Sequence, residues 1–249
     1  MRMSRTKTDG WFAVIVIFAL WKLASAGVGV DMILPPPEKV ILALGDILAE
    51  RRFISAIGST AMRGLSAFAV SMLLGLALGF AAGSSRRIEA FMAPGLTLIR
   101  ATPVLAVILI ALIWFPSGTV PVFSAVVMAF PLVAADVSAG VRSTDPRLLE
   151  MAMSFRVTQR DTLMHVVLPS ALPSVVSAAK NAIGVSWKVV VAGEVLSQPA
   201  HALGTGMQNA RIMLETAEVF AWAAVGIFLC AISDAAFNAV ARRFSWSTK

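Results

Sequence analysis

Apolar residues along this chain gather into six runs, each near the roughly 20 residues a helix needs to cross about 30 Å of hydrocarbon. The runs cover approximately 11–34, 58–82, 91–115, 120–141, 166–195 and 217–240. Each predicts an apolar helix, so the fold class is all-α: a polytopic membrane protein of six transmembrane helices. Between the first two runs, Pro35, Pro36 and Pro37 stop a helix. Val40, Leu42, Ala43, Leu44, Ile47 and Leu48 then form a short amphipathic segment expected to lie along the outer face. With no stretch left for a soluble domain and no internal repeat, residues 1–249 read as a single transmembrane domain.

The polar segments between runs differ in charge, and short loops richer in Lys and Arg stay cytoplasmic. On one side lie Arg2, Arg5, Lys7, Arg86, Arg87, Arg142, Arg147, Arg156, Arg160, Arg242, Arg243 and Lys249. The other side holds only Lys39, Arg51, Arg52 and Arg211, while Lys22, Arg63, Arg100, Lys180 and Lys188 fall inside the runs. Both termini are therefore expected in the cytoplasm. The basic start, the apolar stretch from Trp11 to Trp21 and Ala24-Ser25-Ala26 also fit a cleaved signal peptide. A retained span is favoured because the apolar stretch resumes after Lys22 to Leu34, with Trp11 and Trp21 as interface anchors.

Composition agrees with a lipid-covered protein. Apolar residues make up 58% and charged residues 14%, with a mean hydropathy of +0.81; soluble proteins run at about 45–50% and 25%. The net charge of +7 is scattered between apolar runs rather than gathered in a patch, so nucleic acid is not an expected partner. One cysteine, Cys230, and two histidines, His165 and His201, supply neither a disulfide nor a metal cluster. They also offer no convergent catalytic group, so no enzyme is expected. No Gly-Lys dipeptide occurs, so the chain carries no phosphate-cradling loop and is expected to bind no cofactor itself. Any ATP that drives it binds elsewhere.

One segment on the basic side, 143–165, is too apolar for a plain loop. Thr144 or Asp145 can cap a helix with Pro146 in its first turn. Leu148, Met151, Ala152 and Phe155 follow at i, i+3, i+4 and i+7, an apolar stripe. Thr158 and Asp161 then have capping-box-like spacing, and Pro169 and Pro173 are expected to interrupt or bend the entry into the fifth run. The stripe serves either as an interfacial helix on lipid headgroups or as a docking helix for another subunit.

Asp145-Pro146-Arg147-Leu148-Leu149-Glu150-Met151-Ala152, followed by Val166-Val167-Leu168-Pro169-Ser170-Ala171-Leu172-Pro173, resembles the EAA-type coupling loop of permease subunits in ABC importers. Ile33-Leu34-Pro35-Pro36-Pro37, Arg100-Ala101-Thr102-Pro103, Ala139-Gly140-Val141-Arg142-Ser143, Trp187-Lys188 with Ala192-Gly193-Glu194, and Gly204-Thr205-Gly206 look like the nitrate, sulfonate and taurine branch. The resemblance covers about residue 33 to the C-terminus. It implies the type I ABC importer permease fold, a second permease copy, two cytoplasmic ATP-binding subunits carrying ATP and magnesium, and an extracytoplasmic substrate-binding protein. It further implies that Leu148, Leu149, Glu150, Met151, Ala152, Met153, Ser154, Phe155, Arg156 and Val157 enter the ATPase groove, with Glu150 and Ala152 carrying the motif's first and third positions. Met151 stands where the family usually has Ala, and Arg156 where it usually has Gly. A left-handed turn at Arg156 would cost about 1–2 kcal/mol, so either the turn differs or a partner contact offsets the strain.

In the fifth run Ser170, Ser174, Ser177, Lys180, Asn181, Gly184 and Lys188 recur every three or four residues, placing them on one helix face. Lys180 lies about 18 Å from the boundary near Leu168, close to mid-membrane, and Lys188 can snorkel to the outer headgroups. Lys180 therefore lines an anion-favouring cavity or pairs with a carboxylate on a neighbouring helix. For Arg100, beside Pro103, the favoured pairing is Asp136, and a place in the path is the alternative. Gly75 and Gly79, four apart, allow close helix packing; Glu194 joins a gate or an interface between two copies. The expected function is the membrane subunit of an ATP-driven importer for a small anion, on a path including Ser177, Lys180, Asn181, Gly184, Lys188 and Arg100. A secondary transporter or channel working without an ATPase is the rival, disfavoured by the Leu148–Phe155 stripe. Sulfonates, taurine, nitrate, bicarbonate and thiamine-precursor pyrimidines all stay open as substrates.

Overall fold

The structure, a computed structural model, describes residues 5–244, with side chains described over 12–241. Trp11 and the basic residues at 2, 5, 7, 242, 243 and 249, which entered the orientation argument, lie outside the described side chains. Among the described residues the chain is helical, without strands. The helices are α1 (Arg5–Val28), α2 (Pro37–Ala49), α3 (Arg51–Ser84), α4 (Arg86–Ala101), α5 (Val104–Trp114) and α6 (Val120–Arg142). They continue as α7 (Pro146–Ser154), α8 (Gln159–Thr162), a π-helical turn (Leu163–Val167), α9 (Leu168–Ser197), α10 (Leu203–Ile212) and α11 (Thr216–Phe244).

Four helical stretches are long and apolar enough to cross a membrane: Arg51–Ser84, Val120–Arg142, Gln159–Ser197 and Thr216–Ala241. The count reaches five if α4 and α5, bent by 96° at their junction, form one broken span. Among the described residues the expected count of six spans is therefore not exact. The break has a local cause. Pro103 forces Thr102 out of the helical region, to φ −73° and ψ 128°, and α5 restarts with Pro103 as its N-cap. The first span ends before the prolines credited with stopping it. Gly29, at φ +65°, caps α1 through its N–H on the Ser25 carbonyl at 3.0 Å. Its apolar described part, Phe12–Val28, is shorter than a full crossing.

α3, α6 and α9 pack as the centre. Along α3, Thr60, Gly64, Ala67, Ser71, Gly75, Gly79 and Ala82 are buried, a stripe of small residues that brings α6 close. A Cβ on Gly79 would meet Val137 Cβ at 2.7 Å and the Ala134 carbonyl at 2.9 Å, and Gly75 and Gly83 face Val133 and Val141 in the same way. Gly140 repeats the device toward α9, where a Cβ would meet Ser174 at 2.5 Å.

A second apolar cluster joins α2, α10 and α11 through Val40, Ile47, Leu203, Ala221, Trp222 and Val225. Trp21 is half-buried rather than free at an interface: its indole N–H donates to the Pro35 carbonyl at 3.1 Å, and its ring stacks on Phe220. The amphipathic segment is α2, and α10 is an additional helix within what the sequence pattern left as loop. At the start of α9, Pro169 and Pro173 do not break the chain, because Gln159–Ser197 runs as one stretch. The irregularity falls one turn earlier, in the π-helical Leu163–Val167.

Candidate functional site: the coupling helix, the polar face and a buried carboxylate

α7 starts and stops on local chemistry. Asp145 accepts from the Arg147 N–H at 2.9 Å, which selects Asp145 over Thr144 as the cap, and Pro146 occupies the first turn. At the far end the Arg156 N–H donates to the Met153 carbonyl at 3.0 Å and the Val157 N–H to the Ala152 carbonyl at 2.9 Å. Arg156 sits at φ 52°. The turn keeps the left-handed form that glycine would favour, and an arginine carries the strain. Thr158 then accepts from the Asp161 N–H at 3.2 Å and opens α8.

The stripe on α7 is divided. Ala152 is buried at 4% exposure, whereas Leu148, Met151, Met153, Phe155 and Val157 are exposed, Phe155 at 77%. Leu149 is half-buried, and Glu150, Ser154 and Arg156 are exposed. The outer side of α7 therefore presents methionine, leucine and phenylalanine side chains that no other described residue covers. Leu163 and Met164, in the π turn, are exposed as well.

On α9, Ser177, Lys180, Asn181 and Lys188 are exposed and Gly184 is half-buried with open space around it. Lys180 makes no ion pair among the described residues. Asp136 is met by Asn181 Nδ2 at 3.3 Å, not by Arg100, so the expected Arg100–Asp136 bridge does not form. The reason is position: Arg100 instead lines a cavity with Glu89 and Arg142. Lys188 borders an apolar groove of about 540 Å³ with Trp187, Cys230 and Asp234. Cys230 is half-buried; His165 and His201 are exposed.

A buried, fully hydrogen-bonded polar cluster escaped the sequence pattern. Glu194 is 0% exposed, and Arg63 Nη1 donates to its Oε1 at 2.9 Å. The Thr60 hydroxyl lies 3.0 Å from both carboxylate oxygens and accepts from the Leu203 N–H at 3.0 Å. The Gly204 N–H donates to Oε2 at 3.1 Å. The carboxylate thus ties α3, α9 and the first turn of α10 together, and Gly204 has no room for a side chain because Glu194 Cβ would lie at 2.5 Å. Between α9 and α10 the chain passes through two strained residues, Gln198 at φ 46° and His201 at φ 52°. One signal was available: Arg63 and Glu194 carry opposite charges near corresponding ends of two apolar runs.

A fold of this kind, a bundle of broken and unbroken spans with an exposed short helix between two of them, belongs to the type I ABC importer permeases. One subunit of the MetNI methionine ABC transporter superposes with TM-score 0.64 at 17% identity, covering 77% of this chain and 95% of that one. An amino acid ABC transporter gives 0.60 at 21%, covering 78% and 92%. The family model for binding-protein-dependent transport system inner membrane components matches residues 71–246, and the chain belongs to that family. The taurine transport system permease TauC of Escherichia coli is 28% identical over 96% of this chain and 89% of its own length. A Bacillus subtilis permease named for aliphatic sulfonates, SsuC, is 27% identical over 91% and 82%. The bicarbonate permease CmpB of Synechococcus elongatus is 28% identical over 55% and 50%. The protein is thus a multi-pass inner-membrane permease, and its relatives are transport proteins rather than enzymes.

Proposed function

We propose that the chain is the transmembrane subunit of an ATP-driven importer for a small sulfonate-type anion. Two copies form the pore, two separate ATP-binding subunits grip α7 on the cytoplasmic side, and an extracytoplasmic binding protein delivers substrate. The termini and α7 then share the cytoplasmic side, and α2 and α10 lie outside. The chain binds no cofactor; ATP and magnesium stay on the partner. The apolar outer side of α7 carries this reading, since Leu148 and Met151, with Phe155 at its C-cap, are exposed on a helix too short to cross lipid. ATP binding shifts the inward–outward equilibrium only through a contact that differs between the two states, and α7 is the available contact. Leu148→Glu with Phe155→Asp should abolish co-purification with a co-expressed ATP-binding subunit while leaving the permease monodisperse. Undiminished co-purification would overturn the proposal.

The substrate class rests on the taurine and sulfonate relatives and on the cationic positions Lys180 and Arg100. Lys180, Asn181, Ser177 and Gly184 form one side of the path, and Lys188 lies toward its outer end.

A further inference from the structure

A cavity of about 350 Å³ opens between α3, α4 and α6. Five polar residues reach it: Glu89, Thr97 and Arg100 from α4, and Ser138 and Arg142 from α6. The remaining wall is apolar, and Ala134, Ala135 and Ala139 keep the α6 side shallow enough to leave the space. Two guanidinium groups thus share the cavity with one carboxylate.

That carboxylate is already taken. Arg142 Nη1 lies 2.5 Å from Glu89 Oε1, and its Nη2 donates to the Ala82 carbonyl at 2.8 Å. Arg100 is exposed and makes neither an ion pair nor a side-chain hydrogen bond with any described residue, and it lines the same cavity. A cation that no protein group holds needs water or an anionic ligand beside it rather than hydrocarbon. Ser138 adds a hydroxyl from a residue more than nine-tenths buried, and Thr97 adds another one turn before Arg100.

We infer that this cavity is a binding site for a tetrahedral oxoanion head, a sulfonate or a phosphate, held by Arg100. The planar guanidinium fork matches two oxygens of such a head, while the hydroxyls of Thr97 and Ser138 are donors for the third. The volume lies at the low end of ligand cavities, which suits a short molecule or a headgroup and leaves no room for a long chain. The wall that carries Arg100 is also lightly anchored. No residue of α4 is buried, Pro94 removes one of its internal hydrogen bonds, and it pivots on the 96° break at Thr102–Pro103. Movement of α4, which must break or carry the Glu89–Arg142 pair, admits or releases the anion. The sulfonate identity rests on the importer proposal; the anion site itself does not.

The test uses the full chain in nanodiscs. Radiolabelled taurine probes the sulfonate source in phosphatidylcholine, and native mass spectrometry of retained phosphatidylglycerol in mixed lipid probes the phosphate source. Arg100→Gln should weaken at least one of the two about tenfold, with Arg100→Lys, which keeps the charge but loses the fork, falling between Arg100→Gln and wild type. Ala135→Leu, which fills the cavity without touching a charge, should weaken the same one. Loss of taurine alone assigns a substrate head, and loss of phosphatidylglycerol alone assigns a lipid head. Unchanged binding of both by Ala135→Leu and by folded Arg100→Gln overturns the site. If Arg100-dependent taurine binding persists while wild-type chain shows no association with an ATP-binding subunit, the importer proposal fails and the site stands.

Discussion

Burying Glu194 and Arg63 strips water from two charges, at several kcal/mol each, and only complete hydrogen bonding offsets that loss. The carboxylate meets this demand with Arg63, Thr60 and the Gly204 N–H. These bonds also hold the start of α10 against α9, which keeps Gln198 and His201 in their left-handed conformations. Glu194→Gln keeps the shape and one acceptor but strands Arg63, so it should cost about 3–5 kcal/mol. A thermal-unfolding midpoint many degrees lower would show this, and the Glu194→Met plus Arg63→Met double variant should recover most of it. A single variant as stable as wild type would mean that the pair does not anchor α10. The pairing was hard to read from sequence because the partners lie 131 residues apart. Depth alone also pointed to a false pair, Arg100–Asp136. Arg156 was legible in part: its identity announced the strain, but whether the turn kept its left-handed form depended on the Ala152 carbonyl closing onto Val157.

Helix contacts follow small residues more than hydrophobicity, because lipid solvates an apolar side chain as well as another helix does. Gly79 lies against Val137 and the Ala134 carbonyl, and no rotamer change moves a backbone oxygen. Gly79→Ala must therefore push α3 from α6, an overpacking cost of about 1–3 kcal/mol. Gly58, on the same helix, has open space around its Cβ position, so Gly58→Ala should be neutral or stabilising by roughly 0.5–1 kcal/mol through helix propensity. Comparing the two unfolding midpoints separates packing from propensity, and equal effects would refute the ladder. The four-residue spacing of Gly75 and Gly79 was visible in the sequence; that Gly83 extends the row and that valines of α6 fill it was not, since spacing names no partner. Hydropathy likewise found every apolar run but not the turn inside the third. A proline shows its effect on the preceding residue only when the backbone is followed one residue at a time.

At the scale of the whole molecule, one face of the chain is unsuited to lipid. Its exposed apolar side chains on α1, α3 and α5 can face lipid, but the α9 face cannot, because Lys180 near mid-helix would cost about 2.5–3.5 kcal/mol or more against hydrocarbon. Within the chain, Asn181 has Asp136 while Lys180 has no partner among the described residues. A face of this kind requires water or further polar protein opposite it, which the proposed pore between two copies would supply. The consequence can be read as solvent access. In a Cys230→Ser background, Lys180→Cys in the assembled transporter should react with a membrane-impermeant, charged thiol reagent in at least one nucleotide state. Leu73→Cys, 70% exposed on α3, should stay unreactive in all states because lipid covers it. Reaction at Leu73 and silence at Lys180 would place the lipid and the water on the opposite faces from those argued here. Protection of Lys180→Cys by added taurine would further place the substrate beside this helix.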